Sequence, residues 1–160
     1  MKFGKILYAT DFSPNSDLAL EYATTLAAAT GAKLLILHVD DETPGLIFGD
    51  VGYGYVPQVD EIARRQYDRL LRIRPASLKV SYEHVFMRGK ATEQILLYAA
   101  KEEPDMIVIG THGRTGAYRL LMGSVAESLV RQAKCPVLTV KMPNPELEES
   151  STEKQKMASS

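Results

Sequence analysis

Four short runs of almost uninterrupted apolar residues set the limits on what this chain can fold into. They are KILYAT at 5–10, KLLILHV at 33–39, DMIVIG at 105–110 and PVLTV at 136–140. A strand without polar alternation is buried on both faces, as in a parallel sheet covered by helices. A fifth segment, KVSYEHVF at 79–86, does alternate, with Val80, Tyr82, His84 and Phe86 on one side.

The stretches between these runs carry helical period. In 14–30 the positions Leu18, Ala19, Tyr22, Ala23 and Leu26 form a stripe, with Ser13 as N-cap, Pro14 at the first helical position and Gly31 as terminator. Residues 58–74 make a second stripe through Val59, Ile62, Ala63, Leu70 and Ile73, closed by Pro75. The pattern recurs in 90–102 with Ala91, Ile95 and Ala99, and in 124–133 with Val125, Ala126, Leu129 and Ala133. The order is β-α-β-α-β-α-β-α-β, which right-handed crossovers wind into a doubly wound α/β parallel sheet with helices on both faces.

At 160 residues the chain reads as one domain over 1–142 with a tail over 143–160, where two prolines precede charged and small polar residues. The balance of 19 Lys+Arg against 20 Asp+Glu excludes a general nucleic-acid or membrane-surface binder, which carries a basic excess. No apolar run reaches the about 18 residues of a membrane span, and the N-terminus has no signal-peptide design. The single Cys135 excludes an internal disulfide, and three dispersed histidines make no zinc site. The expectation is a cytoplasmic protein without membrane insertion.

In an open parallel sheet, ligands bind beyond the carboxyl ends of the strands. The stretch after the fourth strand is the richest there: Gly110 and Gly113 lie three apart, and Gly123-Ser124 opens the next helix. Glycine lets backbone approach a bulky anion, and a helix N-terminus supplies free N–H groups and a positive dipole end. The N–H groups of Gly113, Gly123 and Val125 with Ser124 would cradle a polyphosphate, with Arg114 and Arg119 adding charge at its outer end.

Other phosphate sites fail on direct inspection. Gly89-Lys90 is followed by Ala91, so no GxxxxGK[ST] loop exists, and the turn after the first strand lacks every glycine of GxGxxG. A phospho-acceptor receiver needs an acidic pair there and an aspartate after the third strand, where Asp11 stands alone and Met87-Arg88 occupy the second place.

The spacing Gly-x2-Gly-x9-Gly-[Ser/Thr] over Gly110, Gly113, Gly123 and Ser124 resembles the nucleotide signature of the universal stress protein family. The phrases ILYATDFS, LLILHV, MIVIGTHGRTG and CPVLTV are similar to the same family, and the resemblance covers about residues 2–141. It implies a five-stranded sheet of order 3-2-1-4-5 with an adenine nucleotide (ATP, AMP or ADP) at its carboxyl edge. Asp11 then holds the nucleoside end, flanked by Thr10. Ala9 lines the adenine pocket, where many members carry proline, and Val39 reads the adenine edge through its backbone. Ile109 and Gly110 lie against the nucleoside, and Gly113, Gly123, Ser124 and Val125 match the phosphate cradle, beside the loop charge of Arg114. The complete glycine pattern resembles that of the ATP-binding members, and a bound triphosphate would bring Mg²⁺. The resemblance also implies a homodimer through the last strand, Val137 to Val140. The expectation is a regulator whose ATP occupancy shifts its contacts with an unidentified protein partner, with at most slow ATP hydrolysis, since the sequence shows no evident general base. A nucleotidyl or phosphoryl transferase, or an interaction module with a vestigial site, remain the alternatives.

Several residues have plainer readings. Asp11 is also suited to bond the backbone of its own turn. His112 has no assignable acidic or nucleophilic partner and reads as loop structure, His38 points into a buried strand, and Cys135 reads as a small buried hydrophobe. Asp40, Asp41 and Glu42 read as a solvated acidic loop rather than a metal site. The 40–56 segment, with Tyr53 and Tyr55, is either a lid or a surface connection.

Overall fold

The apolar runs pair side by side in the computed structural model, which describes residues 3–41, 57–111 and 122–142, with 57–60 in backbone only. The order is β1 (Lys5–Thr10), α1 (Pro14–Thr30), β2 (Lys33–Asp40), α2 (Pro57–Leu70), β3 (Tyr82–Arg88), α3 (Ala91–Glu102), β4 (Met106–Gly110), α4 (Ser124–Gln132) and β5 (Val137–Val140). The strands form one five-stranded parallel sheet in the order β3-β2-β1-β4-β5. The tail 143–160 and the 42–56 segment lie outside the described residues.

Alternation along the central strands sorts the core into two layers. Ile6, Tyr8, Leu34, Ile36 and Val108 pack with Ala19, Ala23 and Ala27 of α1 and Leu70 of α2. Leu7, Ala9, Leu35, Leu37, Val39, Ile107 and Ile109 pack with Ile95 and Tyr98 of α3 and Ala126 and Leu129 of α4. Burial pushes the Tyr98 phenol up to about 12, assisted by the Glu83 and Glu102 carboxylates.

Both ends of α1 form as expected: Ser13 accepts from the Ser16 N–H, and Gly31 adopts φ 74° with its N–H on Ala27 O. The buried face differs from the expected stripe. Ala19, Ala23 and Ala27 face the sheet, while Tyr22 is 51% exposed and Leu18 and Leu26 are only half-buried. Small side chains let α1 approach the sheet closely, which the larger stripe would prevent.

Helix α2 ends at Leu70, short of the expected 74. The Arg72 N–H bonds to Arg69 O (3.1 Å) and the Ile73 N–H to Leu70 O (3.0 Å), which are i−3 bonds of a tightened turn. Strand β3 begins at Tyr82 rather than 79 and runs on to Arg88. Its start is displaced because 77–80 forms a turn, closed by the Val80 N–H on Ser77 O (3.2 Å), and Val80 is buried there. His84, 2.8 Å from Ile73 O, ties β3 to the turn after α2.

Cys135 is half-buried rather than fully so, and burial raises its thiol pKa. No described helix is long and apolar enough to cross a membrane.

Candidate nucleotide site

The chain reverses its direction of winding between β1 and β4, so the loops leaving those two strands diverge and open a crevice at the carboxyl edge. A cavity of about 240 Å³ occupies that place. Ala9, Thr10 and Asp11 leave β1 into it, Leu37, His38, Val39 and Asp41 come from the end of β2, and Ile109, Gly110 and Thr111 from β4. Ala91 and Ile95 of α3, Ser16 of α1, and Gly123, Ser124, Val125 and Ala126 at the start of α4 complete the lining.

The structure therefore gathers Ala9, Thr10, Asp11, Val39, Ile109, Gly110, Gly123, Ser124 and Val125 around one space. Gly113 and Arg114 lie outside the described residues, as do Arg119, His112, Glu42, Tyr53 and Tyr55. The lining also includes residues the sequence did not single out for the site. Ala91 and Ile95 carried a signal, since a helix directly after a strand's carboxyl end starts at this edge. Thr111 carried one too, standing directly after β4, whereas Ser16 carried none, because its place depends on how the β1–α1 turn folds back on Asp11.

The turn that carries Asp11 is built from side-chain to backbone bonds. Thr10 Oγ1 accepts the Phe12 N–H (3.0 Å) and Asp11 Oδ1 accepts the Ser13 N–H (3.1 Å), each two residues on. Ser16 Oγ donates to the same Asp11 oxygen and also accepts the Asp11 N–H (3.2 Å). Beneath it, the buried Tyr8 hydroxyl donates to Ser16 O (2.8 Å), and burial holds that phenol above its ordinary range. Asp11 thus bonds its own turn while bordering the cavity.

At the opposite wall, α4 begins at Gly123, whose missing side chain leaves its first turn without a side-chain cap. The N–H groups of Ser124, Val125 and Ala126 have no acceptor within the helix, and these residues line the cavity. One expected donor is already engaged: the Gly123 N–H donates to Thr111 O (2.6 Å) rather than standing ready for a phosphate. Thr111 in turn donates its own N–H to Val140 O (2.8 Å), at the end of β5.

Gly110 serves a second purpose. A Cβ there would lie 2.9 Å from Asn15 Cβ and 3.0 Å from the Asn15 carbonyl carbon, so α1 itself requires a glycine. The acidic end of β2 also differs from expectation, since Asp40 is fully buried instead of solvated. Among the described residues no three metal-ligating side chains converge.

His38 is a satisfied core histidine. Its Nδ1 lies 2.8 Å from Thr10 O and its Nε2 2.8 Å from Gln66 Oε1. Because a carbonyl only accepts, Nδ1 carries a hydrogen.

Fold and site together define a parallel α/β domain with an apolar crevice that ends on an uncapped helix N-terminus. The chain belongs to the Universal stress protein family, which it matches over residues 2–141. It is similar to Universal stress protein MJ0531 of Methanocaldococcus jannaschii, 31% identical over 147 residues covering 90% of this chain and 85% of the relative. Universal stress protein YxiE of Bacillus subtilis is 33% identical over 147 residues, covering 87% and 99%. Among solved structures, a universal stress protein in complex with cAMP is 26% identical, with a TM-score of 0.58 over 89% of this chain and 100% of that one.

Proposed function

We propose that this protein binds an adenine nucleotide, ATP in the first instance, in the crevice between β1 and β4, and acts as a homodimeric stress-response regulator. The observation that carries this reading is the division of one cavity into an apolar half and an anion-ready end. Ala9, Leu37, Val39, Ala91, Ile95 and Ile109 offer a flat ring an apolar slot. Asp11 offers an acceptor to ribose hydroxyls, and the first turn of α4 offers N–H donors and a dipole to phosphates. The related structure that holds cAMP supports the same ligand class here.

Mg²⁺ would come as a companion of the triphosphate, keeping its waters, since no metal-ligating cluster forms among the described residues. Hydrolysis is slow on this reading, because the residues assigned to the site act by positioning, which alone gives modest rates. The second copy pairs through β5, a strand at the open edge of the sheet.

Denaturing the purified protein and identifying the released nucleotide by chromatography and mass tests the reading. About one adenine nucleotide per chain is the expected result for a full single site. No released nucleotide, followed by no heat on titrating ATP with Mg²⁺, overturns it.

A further inference from the structure

Arg69 lies on the exposed face of α2, yet its guanidinium reaches across to the β1–α1 turn. Its Nη2 donates to Phe12 O (3.0 Å), and its guanidinium carbon sits 4.6 Å from the centroid of the Phe12 ring. Phe12 has φ 63°, a left-handed conformation that a bulky side chain rarely adopts and that its surroundings must impose. The Phe12 ring also packs against His38, with centroids 4.1 Å apart and planes tilted by 34°. His38 holds Thr10 O and is met by Gln66, three residues before Arg69 and so on the same side of α2. The two carbonyls flanking Asp11, those of Thr10 and Phe12, are therefore both held from α2, one through His38 and one directly.

We infer that Arg69 is a positioning residue for the nucleotide site: it fixes Phe12 in its left-handed conformation and so aims Asp11 at the cavity without touching the ligand. The inference rests on the nucleotide reading above for its effect on affinity, but not for its effect on the turn. A solvated surface arginine would hold neither a distant carbonyl nor a ring face. Here both contacts converge on the one strained residue beside Asp11.

The test is calorimetric titration of ATP with Mg²⁺ into the full chain as wild type, Arg69→Ala, Arg69→Lys, Asp11→Ala and the Arg69→Ala/Asp11→Ala double variant. Arg69→Ala weakens ATP by about 3- to 10-fold, the factor for one net hydrogen bond. Arg69→Lys, which keeps a cation and a donor, restores most of it. In the Asp11→Ala background the Arg69→Ala effect shrinks to less than about 2-fold, because its route to the ligand is gone. Unchanged affinity in Arg69→Ala overturns the inference, and so does a full effect that persists without Asp11.

Amide exchange of the Ser13 N–H, whose acceptor is Asp11, reads the turn without any ligand. It quickens by about 10-fold in Arg69→Ala, as expected for local loosening. If the wild type binds no adenine nucleotide, the functional reading fails, and Ser13 exchange alone decides the role of Arg69. Unchanged Ser13 exchange then overturns it.

Discussion

Gly110 at the end of β4 and Asn15 in the first turn of α1 meet so closely that a single methyl group would collide with backbone. The added carbon would stand 3.0 Å from the Asn15 carbonyl carbon and 3.1 Å from its oxygen. Neither atom can rotate away, so Gly110→Ala must push α1 off the sheet. We expect a loss of about 1–3 kcal/mol, the range for overpacking, read as a lower urea midpoint at constant m-value. A midpoint equal to wild type would mean that α1 yields more easily than its alanine face suggests.

Ser16, 3% exposed, loses in Ser16→Ala a hydroxyl that bonds to Asp11 Oδ1, the Asp11 N–H and Ser13 Oγ. The expected cost is about 1–3 kcal/mol of stability, as a buried network loses its central member. ATP affinity should fall with it, since the carboxylate is released from its fixed position. Calorimetry on a folded Ser16→Ala sample separates the two effects.

Gly123→Val places a branched side chain at the N-cap of α4, on the cavity wall. Its backbone, with φ −72° and ψ 154°, suits any residue, so folding should survive. ATP binding should be lost because the valine occupies the approach to the first-turn N–H groups. A variant that keeps wild-type affinity would place the phosphates elsewhere.

The ladder at the sheet edge distinguishes two neighbouring prolines. Pro136 O accepts from Ile107 of β4 and Val140 O from Thr111 just beyond it, so Leu138 and Val140 face β4, and Val137 and Thr139 turn their backbone groups to the open side. Thr139→Pro should leave the monomer folded and remove a donor that the proposed pairing with a second copy would use, giving a monomer in sedimentation equilibrium. Leu138→Pro should damage the sheet itself. A dimeric Thr139→Pro would point to another interface.

Asp105 accepts the N–H groups of Gly4 (2.7 Å) and Lys5 (3.0 Å) at the start of β1, and the bond from Lys5, more than any other cause, holds its carboxyl below the ordinary 3.8. The folded state therefore binds this proton less readily than the unfolded chain. Its contribution is complete above the ordinary value and is lost as pH falls through the depressed one. Urea midpoints measured between about pH 5 and about pH 2 should fall less steeply in Asp105→Asn than in wild type. Equal slopes would assign the acid sensitivity to other carboxylates.

The four apolar runs reveal the sheet because a strand buried on both faces needs little else to be recognised, and β1 occupies the residues its pattern predicts. Strand β3 shifted because it is an edge strand, half-buried along nearly its whole length, so polar alternation says little about where pairing starts. The face of α1 was ambiguous for another reason. DLALEYATTLAAAT is apolar around most of its circumference, and it is packing against the sheet that selects the alanines. At the site, residues adjoining strand ends were legible because topology alone brings them together. The engagement of the Gly123 N–H by Thr111 was not, since it depends on how a helix start and a strand end come to rest against each other.

Those two bonds on Thr111 carry a mechanical meaning. Its carbonyl receives the N–H at the head of α4, and its own N–H grips the last residue of β5. Threonine 111 is thus a common joint for the wall of the crevice and for the open rim of the sheet. An anion that draws α4 toward itself loads the same joint that anchors the rim. The head of α4 and the open rim at β5 are separated by no spacer, only by a single peptide on either side of one residue.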